Sequence, residues 1–476
     1  MLKVAAAIVG GLLVIWAPFA QADEAGAAKP AAPWTVPSDA EIRQILVKRI
    51  DTEERGVGIV VGVIDAHGRR IVTYGKSDQG DPRPLDEGTV FEIGSMTKVF
   101  TSLLLSDMVQ KGEVKLDDPV AKYLPPTVTM PQRGGKQITL EDLATHSSGL
   151  PRMPNNFKPK DPSNPYADYS VEQMYQFLSG YSLPRDIGSL YEYSNLGGGL
   201  LGHALARRAG VDYETLVRQR ITGPLKMDDT VIALSPKLKA RLAKGHDGAL
   251  EPTANWDIPT LAGAGALRSD AKDILTFLGA ELGYVKTPLK TAMAAQLGPR
   301  RPAGSPVMTV ALGWHILSPP GKDPIVWHNG GTGGYRTFMG FDAKTGVGVV
   351  VLTNAATAAG GDDIGFHLLS GGPLSPPPVV RHAVPIDATA VNAVVGRYQL
   401  APKVFITVTR YGDKVVAQLT GQPVAQIFPE APTKFFWKVV DAQLSFEIGA
   451  DGKASAVTLH QNGRDIPGKR VEDGPA

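Results

Sequence analysis

The sequence predicts an α/β protein that is followed by a small, separate all-β domain. The β-rich runs 58–64 and 71–74 flank a short turn sequence, which predicts a hairpin, and a helical pattern at 40–49 precedes them. From about residue 388 onward the pattern is all-β, with short apolar runs and turns such as Asp451-Gly452. We expect this second part to be a small antiparallel barrel or sandwich.

Residues 1–22 are expected to be a cleavable secretory signal peptide. Lys3 precedes an almost unbroken apolar run, and Ala20-Gln21-Ala22 has the small residues of a cleavage site. The run is shorter than the roughly 20 residues that span a bilayer, so a permanent membrane anchor is the less favoured alternative. No cysteine is present for a lipid anchor, a disulfide or a thiolate metal site. The mature chain is therefore expected to be periplasmic.

The balance of charge excludes a nucleic-acid partner. The formal net charge is +2, and removing residues 1–22, which contain one lysine and no acidic residue, leaves +1. A nucleic-acid-binding protein would instead carry a concentrated basic surface.

A proline-rich run divides the mature chain. It predicts a linker at 373–387 between a larger domain, 23–372, and the β domain, 388–476, in which no catalytic constellation is seen. Within the larger domain, the loop 151–168 is rich in Pro, Asn, Asp and Lys. Long loops of this kind often form the rim or lid of a site.

The larger domain contains a serine and a lysine three residues apart at the start of an apolar helical run. Ser95 and Lys98 share one face of a helix that begins near Ser95, and we expect that helix to be amphipathic. A lysine that is desolvated in a closed site has a lowered pKa, and its amine can accept the serine proton. The helix N-terminus adds positive potential where an oxyanion would form. Ser95 is therefore the candidate nucleophile.

The same spacing recurs at Ser269 and Lys272, where a structural interpretation is simpler. Ser269 precedes an apolar periodic run, so we expect it to cap that helix, with Asp270 in the first turn. Other catalytic scaffolds are unsupported, because the chain has no G-x-S-x-G elbow, no H-E-x-x-H helix and no complete P-loop.

Tyr193 and Asn195 form a second candidate pair, shortly before the glycine-rich run 197–199. We expect both on the loop before a glycine-rich helix, because residues two apart lie side by side only in a turn or an extended segment. A tyrosine near a lysine ammonium would have a lowered pKa, so Tyr193 is a candidate base and later acid. The alternative is a buried tyrosine whose hydroxyl is hydrogen-bonded.

The third candidate stretch enters a second hairpin. His328 and Asn329 precede a run of glycines at the start of a strand, and a further β-rich run follows at 347–352. Glycine weakens a strand unless a ligand or another backbone approaches closely, so this is the composition that a substrate-binding edge strand requires. An ordinary strand-end histidine is the alternative for His328.

In this order, Ser95-x-x-Lys98, Tyr193-x-Asn195 and His328-Asn329-Gly330 resemble the three active-site elements of the class C β-lactamase and penicillin-binding serine hydrolase superfamily. The resemblance runs from about residue 40 to 370 and includes the segment from Leu143 to Pro151. It implies an antiparallel sheet flanked by helices, with a mostly helical insertion facing it and the catalytic site between these parts.

The resemblance also implies a role for each matching residue. Ser95 would be acylated, Lys98 and Tyr193 would share proton transfer, and Asn195 would hold the substrate amide. The backbone N–H groups of Ser95 and Gly331 would form the oxyanion hole. The strand that starts at His328 would pair with the substrate backbone.

The third element departs from class C β-lactamases, which usually carry Lys-Thr-Gly where this chain has His328-Asn329-Gly330. A histidine there is more similar to certain D,D-peptidases and esterases of the superfamily. A histidine of unshifted pKa is mostly uncharged at neutral pH, so Thr332 or Arg336 becomes the candidate for binding a substrate carboxylate.

These features predict an exported serine hydrolase that forms an acyl-enzyme, without a metal or cofactor, on amides or esters related to β-lactams or D-alanyl peptides. A carboxylesterase acting on small esters is one alternative. A penicillin-binding sensor or scaffold that is acylated without turnover is the other, and the complete set of Ser95, Lys98 and Tyr193 argues against it.

Overall fold

The computed structural model describes residues 34–81, 83–358, 360–377, 381–402, 404–412, 414–420, 424–437, 442–461 and 464–471. They fall in two compact units, Ala32–Ser375 and Pro376–Ala476. The predicted signal peptide at 1–22 lies outside the described residues. The predicted domain limits 23–372, 373–387 and 388–476 stay predictions.

The first unit combines strands and helices along the chain. Its strands are β1 (Gly58–Asp65), β2 (Gly68–Gly75), β3 (Phe91–Glu92), β4 (Gln132–Arg133), β5 (Lys136–Gln137), β6 (Arg268–Ser269), β7 (Arg301–Ser305), β8 (Met308–Val310), β9 (His315–Leu317), β10 (Ile325–Gly331), β11 (Arg336–Asp342) and β12 (Val347–Thr353). Its α-helices are α1 (Asp39–Val47), α2 (Thr97–Gln110), α3 (Leu140–Ala144), α4 (Val171–Gly180), α5 (Asn195–Ala209), α6 (Tyr213–Val217), α7 (Gly223–Leu225), α8 (Pro236–Arg241), α9 (Ala262–Gly265), α10 (Ala271–Glu281), α11 (Lys290–Gln296) and α12 (Asp362–Ser370).

Most of these strands form one antiparallel sheet of eight, in the order β2-β1-β12-β11-β10-β9-β8-β7. Both predicted hairpins are present, as the β1–β2 and β11–β12 pairs. Helices α1, α10 and α12 pack against the sheet, and most of the regular structure in the long connection between β2 and β7 is helical. The predicted class, an antiparallel sheet flanked by helices with a helical insertion, is therefore confirmed.

Helix α2 is buried on every side, so the predicted amphipathic helix was wrong. Every residue from Thr97 to Met108 is buried. A helix without a solvated face lies inside a core, and α2 contacts α5, α9 and α11. Its polar residues are accommodated by buried hydrogen bonds, such as those from Thr101 Oγ1 to Gly263 O at 2.7 Å and from Ser106 Oγ to Ala292 O at 2.6 Å.

The residue that caps α10 is Asp270, not Ser269 as predicted. The Asp270 carboxylate accepts the N–H of Asp273 at 2.8 Å. Ser269 is instead paired in the short strand β6, and its hydroxyl is 2.7 Å from that of Thr230. Strand pairing places Ser269 one residue too early for the cap, so it has a structural role different from the one expected.

The second unit contains a short helix, α13 (Ala388–Val394), and a closed antiparallel barrel. The barrel strands are β13 (Gly396–Ala401), β14 (Val404–Tyr411), β15 (Lys414–Leu419), β16 (Ala425–Ala431), β17 (Lys434–Trp437), β18 (Ala442–Ile448), β19 (Ala454–Gln461) and β20 (Arg464–Val471). Pairing of β13 with β20 closes it, which confirms the barrel-like expectation.

The β-rich runs at 405–408, 415–419, 435–440, 444–448 and 456–459 predict five of the eight barrel strands, whereas β13, β16 and β20 were not recognised in the sequence. Pro429 in β16 and Pro467 in β20 normally argue against a strand interior. In β16 the pairing register shifts just after Pro429, which accommodates that proline.

Among the described residues, none of the helices is both long and apolar enough to span a membrane.

Candidate active site

Ser95 lies in a short turn between the helical part and the sheet. It is the middle residue of a 3₁₀ turn, Gly94–Met96, which leads directly into α2. Gly94 has a φ of +50°, and a Cβ at this position would lie 2.6 Å from the backbone nitrogen of Gly331. Only glycine allows so close an approach. The turn therefore holds Ser95 against the end of β10.

The Lys98 amine is enclosed by three oxygen atoms. Its Nζ lies 3.0 Å from Ser95 Oγ, 2.9 Å from Asn195 Oδ1 and 2.6 Å from the carbonyl oxygen of Ala264. Lys98 is only 2% exposed. Burial, and next the charge of Arg152, hold the pKa of Lys98 well below the usual lysine value. The predicted contact with Ser95 and the predicted direction of the pKa shift are both present.

Tyr193 completes this group, but its pKa shifts in the direction opposite to the prediction. Burial raises the pKa of Tyr193 to about 12, although its hydrogen bond with Ser95 and the charge of Arg152 act to lower it. Lys98 Nζ lies 4.8 Å from the centre of the ring. The prediction assumed a charged lysine beside the phenol, whereas both groups are desolvated. Tyr193 is therefore a neutral hydroxyl at neutral pH.

Asn195 is the first residue of α5, so only Tyr193 has the predicted position on the preceding loop. Ser194 caps the helix, and its side chain accepts a hydrogen bond from the first turn. The Asn195 side chain is held at both ends, because Oδ1 accepts from Lys98 and Nδ2 donates to Tyr166 Oη at 3.2 Å. An amide nitrogen carries two N–H groups, so one is left for a substrate.

Strand β10 brings His328 to this group, and it is not the edge strand that was predicted. It is the fifth strand of the sheet, because β9, β8 and β7 extend the sheet beyond it. β9 pairs only with Ile325 to Trp327. From His328 to Gly331 the strand pairs with β11 alone within the described part of the chain. This second half therefore has one open side, as an edge strand would.

The close approach predicted from the glycines of β10 is present. A Cβ at Gly330 would lie 2.0 Å from the carbonyl oxygen of Ile93, immediately before the Ser95 turn. No other residue type fits there without movement of the backbone. Gly331, at the end of the strand, is exposed.

His328 is fully buried and uncharged. Its Nδ1–H donates to the carbonyl oxygen of Asn329 at 2.5 Å. Burial, with smaller contributions from His315 and Lys98, holds the pKa of His328 well below the usual value. Its ring lies 6.3 Å from that of Tyr193. The third element thus supplies no fixed positive charge.

Two further histidines, not singled out in the sequence, pack against Tyr193. The ring of His146 lies 4.5 Å from the Tyr193 ring, and that of His315 lies 6.4 Å away. Burial lowers the pKa of both, that of His315 to about 4, so neither adds charge. His146 lies in the segment from Leu143 to Pro151, which is part of the family resemblance, so the sequence did indicate that it could lie at the site. Nothing in the sequence indicated His315.

The remaining predicted residues lie beside the catalytic group. Asn329 Nδ2 donates to a carboxylate oxygen of Asp362, on α12, at 2.5 Å. Arg336 Nη1 donates to the carbonyl oxygens of Thr332 and Tyr335, at 2.9 and 3.0 Å. Thr332 is buried, and its N–H donates to Tyr335 O at 3.1 Å. These side chains therefore support the turn after β10.

The loop 151–168 forms one rim of the site and adds two residues that the sequence did not name. Arg152 Cζ lies 5.1 Å from the centre of the Tyr193 ring. The ring of Tyr166 lies 5.3 Å from that of Trp256. In the sequence, only the length and composition of the loop indicated that it lies at the rim of a site.

The side chains at the centre of the site are neutral or cationic. Within the residues that the structure describes, no group of three or more histidine, cysteine, aspartate or glutamate side chains could hold a metal ion. The arrangement supports transfer of a proton from the Ser95 hydroxyl to the Lys98 amine, which makes the serine oxygen a nucleophile toward an acyl carbon.

Comparison with known sequences relates both parts of the chain to described families. A family model described as "Beta-lactamase" matches residues 44–369, and one described as "Domain of unknown function (DUF3471)" matches residues 380–470. The D-alanyl-D-alanine-carboxypeptidase/endopeptidase AmpH of Escherichia coli (strain K12) is 33% identical over 309 residues, covering 62% of this chain and 78% of the relative. Penicillin-binding protein 4* of Bacillus subtilis (strain 168) is 26% identical over 426 residues, covering 84% of this chain and 92% of the relative.

Two solved structures are similar over the same region. A class C beta lactamase from Rhodobacter sphaeroides superposes with a TM-score of 0.57 at 26% identity, covering 67% of this chain and 93% of its own. A Beta-lactamase/D-alanine carboxypeptidase from Yersinia pestis, complexed with citrate, superposes with a TM-score of 0.58 at 26% identity, covering 67% of this chain and 94% of its own.

Proposed function

The chain belongs to the beta-lactamase family and is a serine hydrolase, and from that premise we propose that it hydrolyses β-lactams or D-alanyl peptides through an acyl-enzyme on Ser95. The single observation that carries the proposal is the set of contacts around Lys98 Nζ. This nitrogen joins the nucleophile of the first motif to the amide of the second.

The contacts of Lys98 orient it as a base. Asn195 Oδ1 and the carbonyl oxygen of Ala264 can only accept hydrogen bonds, so they take the two N–H groups of a neutral amine. The lone pair is then left for the hydroxyl of Ser95, 3.0 Å away. Because the pKa of Lys98 is lowered, more of the amine is in the neutral form that can accept the serine proton.

Tyr193 would return that proton to the leaving group. Its hydroxyl is neutral and hydrogen-bonded to Ser95, so it can donate to the leaving nitrogen while it accepts a proton from Lys98. The backbone N–H groups of Ser95 and Gly331 would bind the oxyanion, and the open side of β10 from His328 onward would pair with the substrate backbone. In the second step, Lys98 accepts a proton from the water that attacks the acyl carbon.

One observation favours a carboxylesterase as the second candidate. His328 is buried and uncharged, so the third element offers no cation for the carboxylate that peptides and β-lactams carry. Neutral esters would not need one.

A comparison of three substrates tests the proposed function. We expect a chromogenic cephalosporin to acylate Ser95 but to turn over slowly, because the neutral third element holds its carboxylate less firmly and places the attacking water less well. A D-Ala-D-Ala peptide or a short-chain ester is expected to be a comparable or better substrate. The assays use the mature protein, and product formation and the intact mass of the protein are followed in parallel.

Each other outcome has a distinct meaning. Rapid cephalosporin turnover would identify a true β-lactamase, and turnover of the ester alone would favour the carboxylesterase. A stable adduct without turnover of any substrate would favour the sensor. No adduct and no product would remove the catalytic proposal.

We also propose that the protein is exported to the periplasm, on the basis of Lys3, the apolar run and Ala20-Gln21-Ala22. Mass spectrometry of protein from its native cell envelope is expected to find an N-terminus at or near Asp23. Mature protein that retains Met1 would contradict this proposal.

A further inference from the structure

Arg152 is a cation at the catalytic group without an ionic partner. Within the described residues its guanidinium makes no ion pair or hydrogen bond, and its Nε is buried without a partner. Its guanidinium lies over the ring of Tyr193 instead. Arg152 is half-buried, so its guanidinium is partly desolvated, and a partly desolvated charge without a partner favours an anion. An unpaired guanidinium beside a nucleophile is thus suited to an anionic ligand.

The other basic side chains near Ser95 are already engaged. Lys98 is surrounded by three oxygen atoms. Arg336, one of the two residues expected to bind a carboxylate, donates to two backbone carbonyls and lies near the charge of Asp362. Arg152 is therefore the cation best placed to take a new partner.

We propose that Arg152 binds the carboxylate of the substrate, in place of the positive charge that the third element lacks. This inference rests on the proposed function and narrows it to amides with a free carboxylate on the leaving side, such as the C-terminus of a D-alanyl peptide or the carboxylate of a β-lactam. A guanidinium fits a carboxylate through two parallel N–H donors.

The position of Arg152 suits this role. Its backbone carbonyl accepts the N–H groups of Asn195 and Leu196, at 3.0 and 3.2 Å, which fixes it to the start of α5. Arg152 Cζ and Lys98 Nζ lie 5.1 and 4.8 Å from the centre of the same Tyr193 ring. A peptide carboxylate is one residue, roughly 3.5 Å, from the acyl carbon that Ser95 attacks. Because Arg152 and Lys98 contact the same ring, we infer that one small substrate can reach both the guanidinium and Ser95.

Binding of a carboxylate at Arg152 also acts on the base. The charge of Arg152 lowers the pKa of Lys98. A bound carboxylate would cancel much of that charge, so the amine would become more basic once the substrate is in place. The other titratable groups around Lys98 are uncharged at neutral pH, namely Tyr193, His146, His315 and His328.

The test compares Arg152→Met and Arg152→Lys with a matched control, Arg208→Met, which removes an exposed cation on α5. Each protein is assayed with a cephalosporin and its methyl ester, and with a D-Ala-D-Ala peptide and its C-terminal amide. Binding of each pair to Ser95→Ala protein, with and without Arg152→Met, is measured by calorimetry and does not depend on turnover.

We expect Arg152→Met to lower kcat/KM and affinity for the carboxylates by about 10- to 100-fold, with little change for their neutral analogues. Arg152→Lys is expected to retain part of the preference and Arg208→Met all of it. Removing the Arg152 charge should also move the acid limb of kcat/KM to higher pH, because the pKa of Lys98 rises. A purely structural role would reduce both members of each pair equally.

An unchanged ratio of carboxylate to neutral analogue in Arg152→Met, in turnover and in binding, would overturn the inference. Failure of the unsubstituted protein to form any adduct or product would overturn the proposed function instead. In that case the calorimetric comparison still decides whether Arg152 recognises a carboxylate.

Discussion

Ser95→Ala is expected to abolish covalent labelling by a β-lactam and to reduce turnover by on the order of 10⁶-fold, the scale seen when a serine hydrolase loses its nucleophile. The Ser95 hydroxyl is the group that Lys98 Nζ approaches at 3.0 Å, and alanine has no oxygen to form the acyl bond. Intact-mass spectrometry after incubation with a cephalosporin measures the adduct, and product release measures turnover.

Ser269→Ala is the matched control, because Ser269 and Lys272 have the same spacing as the catalytic pair. Its hydroxyl is bonded to Thr230 and is fully buried, so this change should cost roughly 0.5–1.5 kcal/mol of stability and leave labelling intact. Normal turnover by Ser95→Ala, or loss of the adduct in folded Ser269→Ala, would contradict the assignment of the nucleophile.

Lys98→Met should have the next largest effect, slowing acylation by about 10²–10⁴-fold. Methionine keeps most of the side-chain volume but removes the lone pair that receives the serine proton. Tyr193→Phe, which keeps the ring packed against His146, is expected to slow the reaction by about 10²-fold. Stopped-flow acylation measures both. Lys272→Met is the control, since its amine pairs with Asp229 at 2.9 Å, and it should acylate at the normal rate.

The pH profile separates the two proton carriers. The neutral form of Lys98 is the base and its pKa is lowered, so kcat/KM should fall as the pH drops through that lowered value. Tyr193 has a pKa of about 12 and stays protonated across the ordinary assay range. The residual activity of Lys98→Met should therefore lack this acid limb. An unchanged limb in that variant would assign the base to another group.

Some errors of prediction from the sequence share one cause. In each case the local segment contacts a partner that is distant in the chain. Ser269 looked like a helix cap until its pairing with Phe91 placed it in a strand. The stretch after Ser95 was expected to form an amphipathic helix, but partners such as Gly263 and Ala292 accept hydrogen bonds from its Thr and Ser hydroxyls inside the core. These partners are far away in the chain, so no local sequence pattern predicts the contacts.

The sequence by itself determined the features that depend only on local backbone geometry, namely contacts along a helix, helix caps and hairpins. Residues three apart meet on a helix whatever surrounds it, so the contact between Lys98 and Ser95 followed from spacing. Side-chain capping is equally local, as at the start of α3, where Thr139 and Asp142 exchange reciprocal hydrogen bonds. Runs with β-rich composition located both hairpins of the sheet and five strands of the barrel.

Only the tertiary structure decided which groups at the site are charged. The pKa of Tyr193 rises and that of His328 falls because distant segments remove both from water, and desolvation penalises a charge of either sign. Pairing is decided in the same way, since Arg336 is occupied by its neighbours while Arg152 is left without an ionic partner among the described residues. Burial and pairing depend on segments brought together by folding, whereas residue spacing depends only on the chain itself.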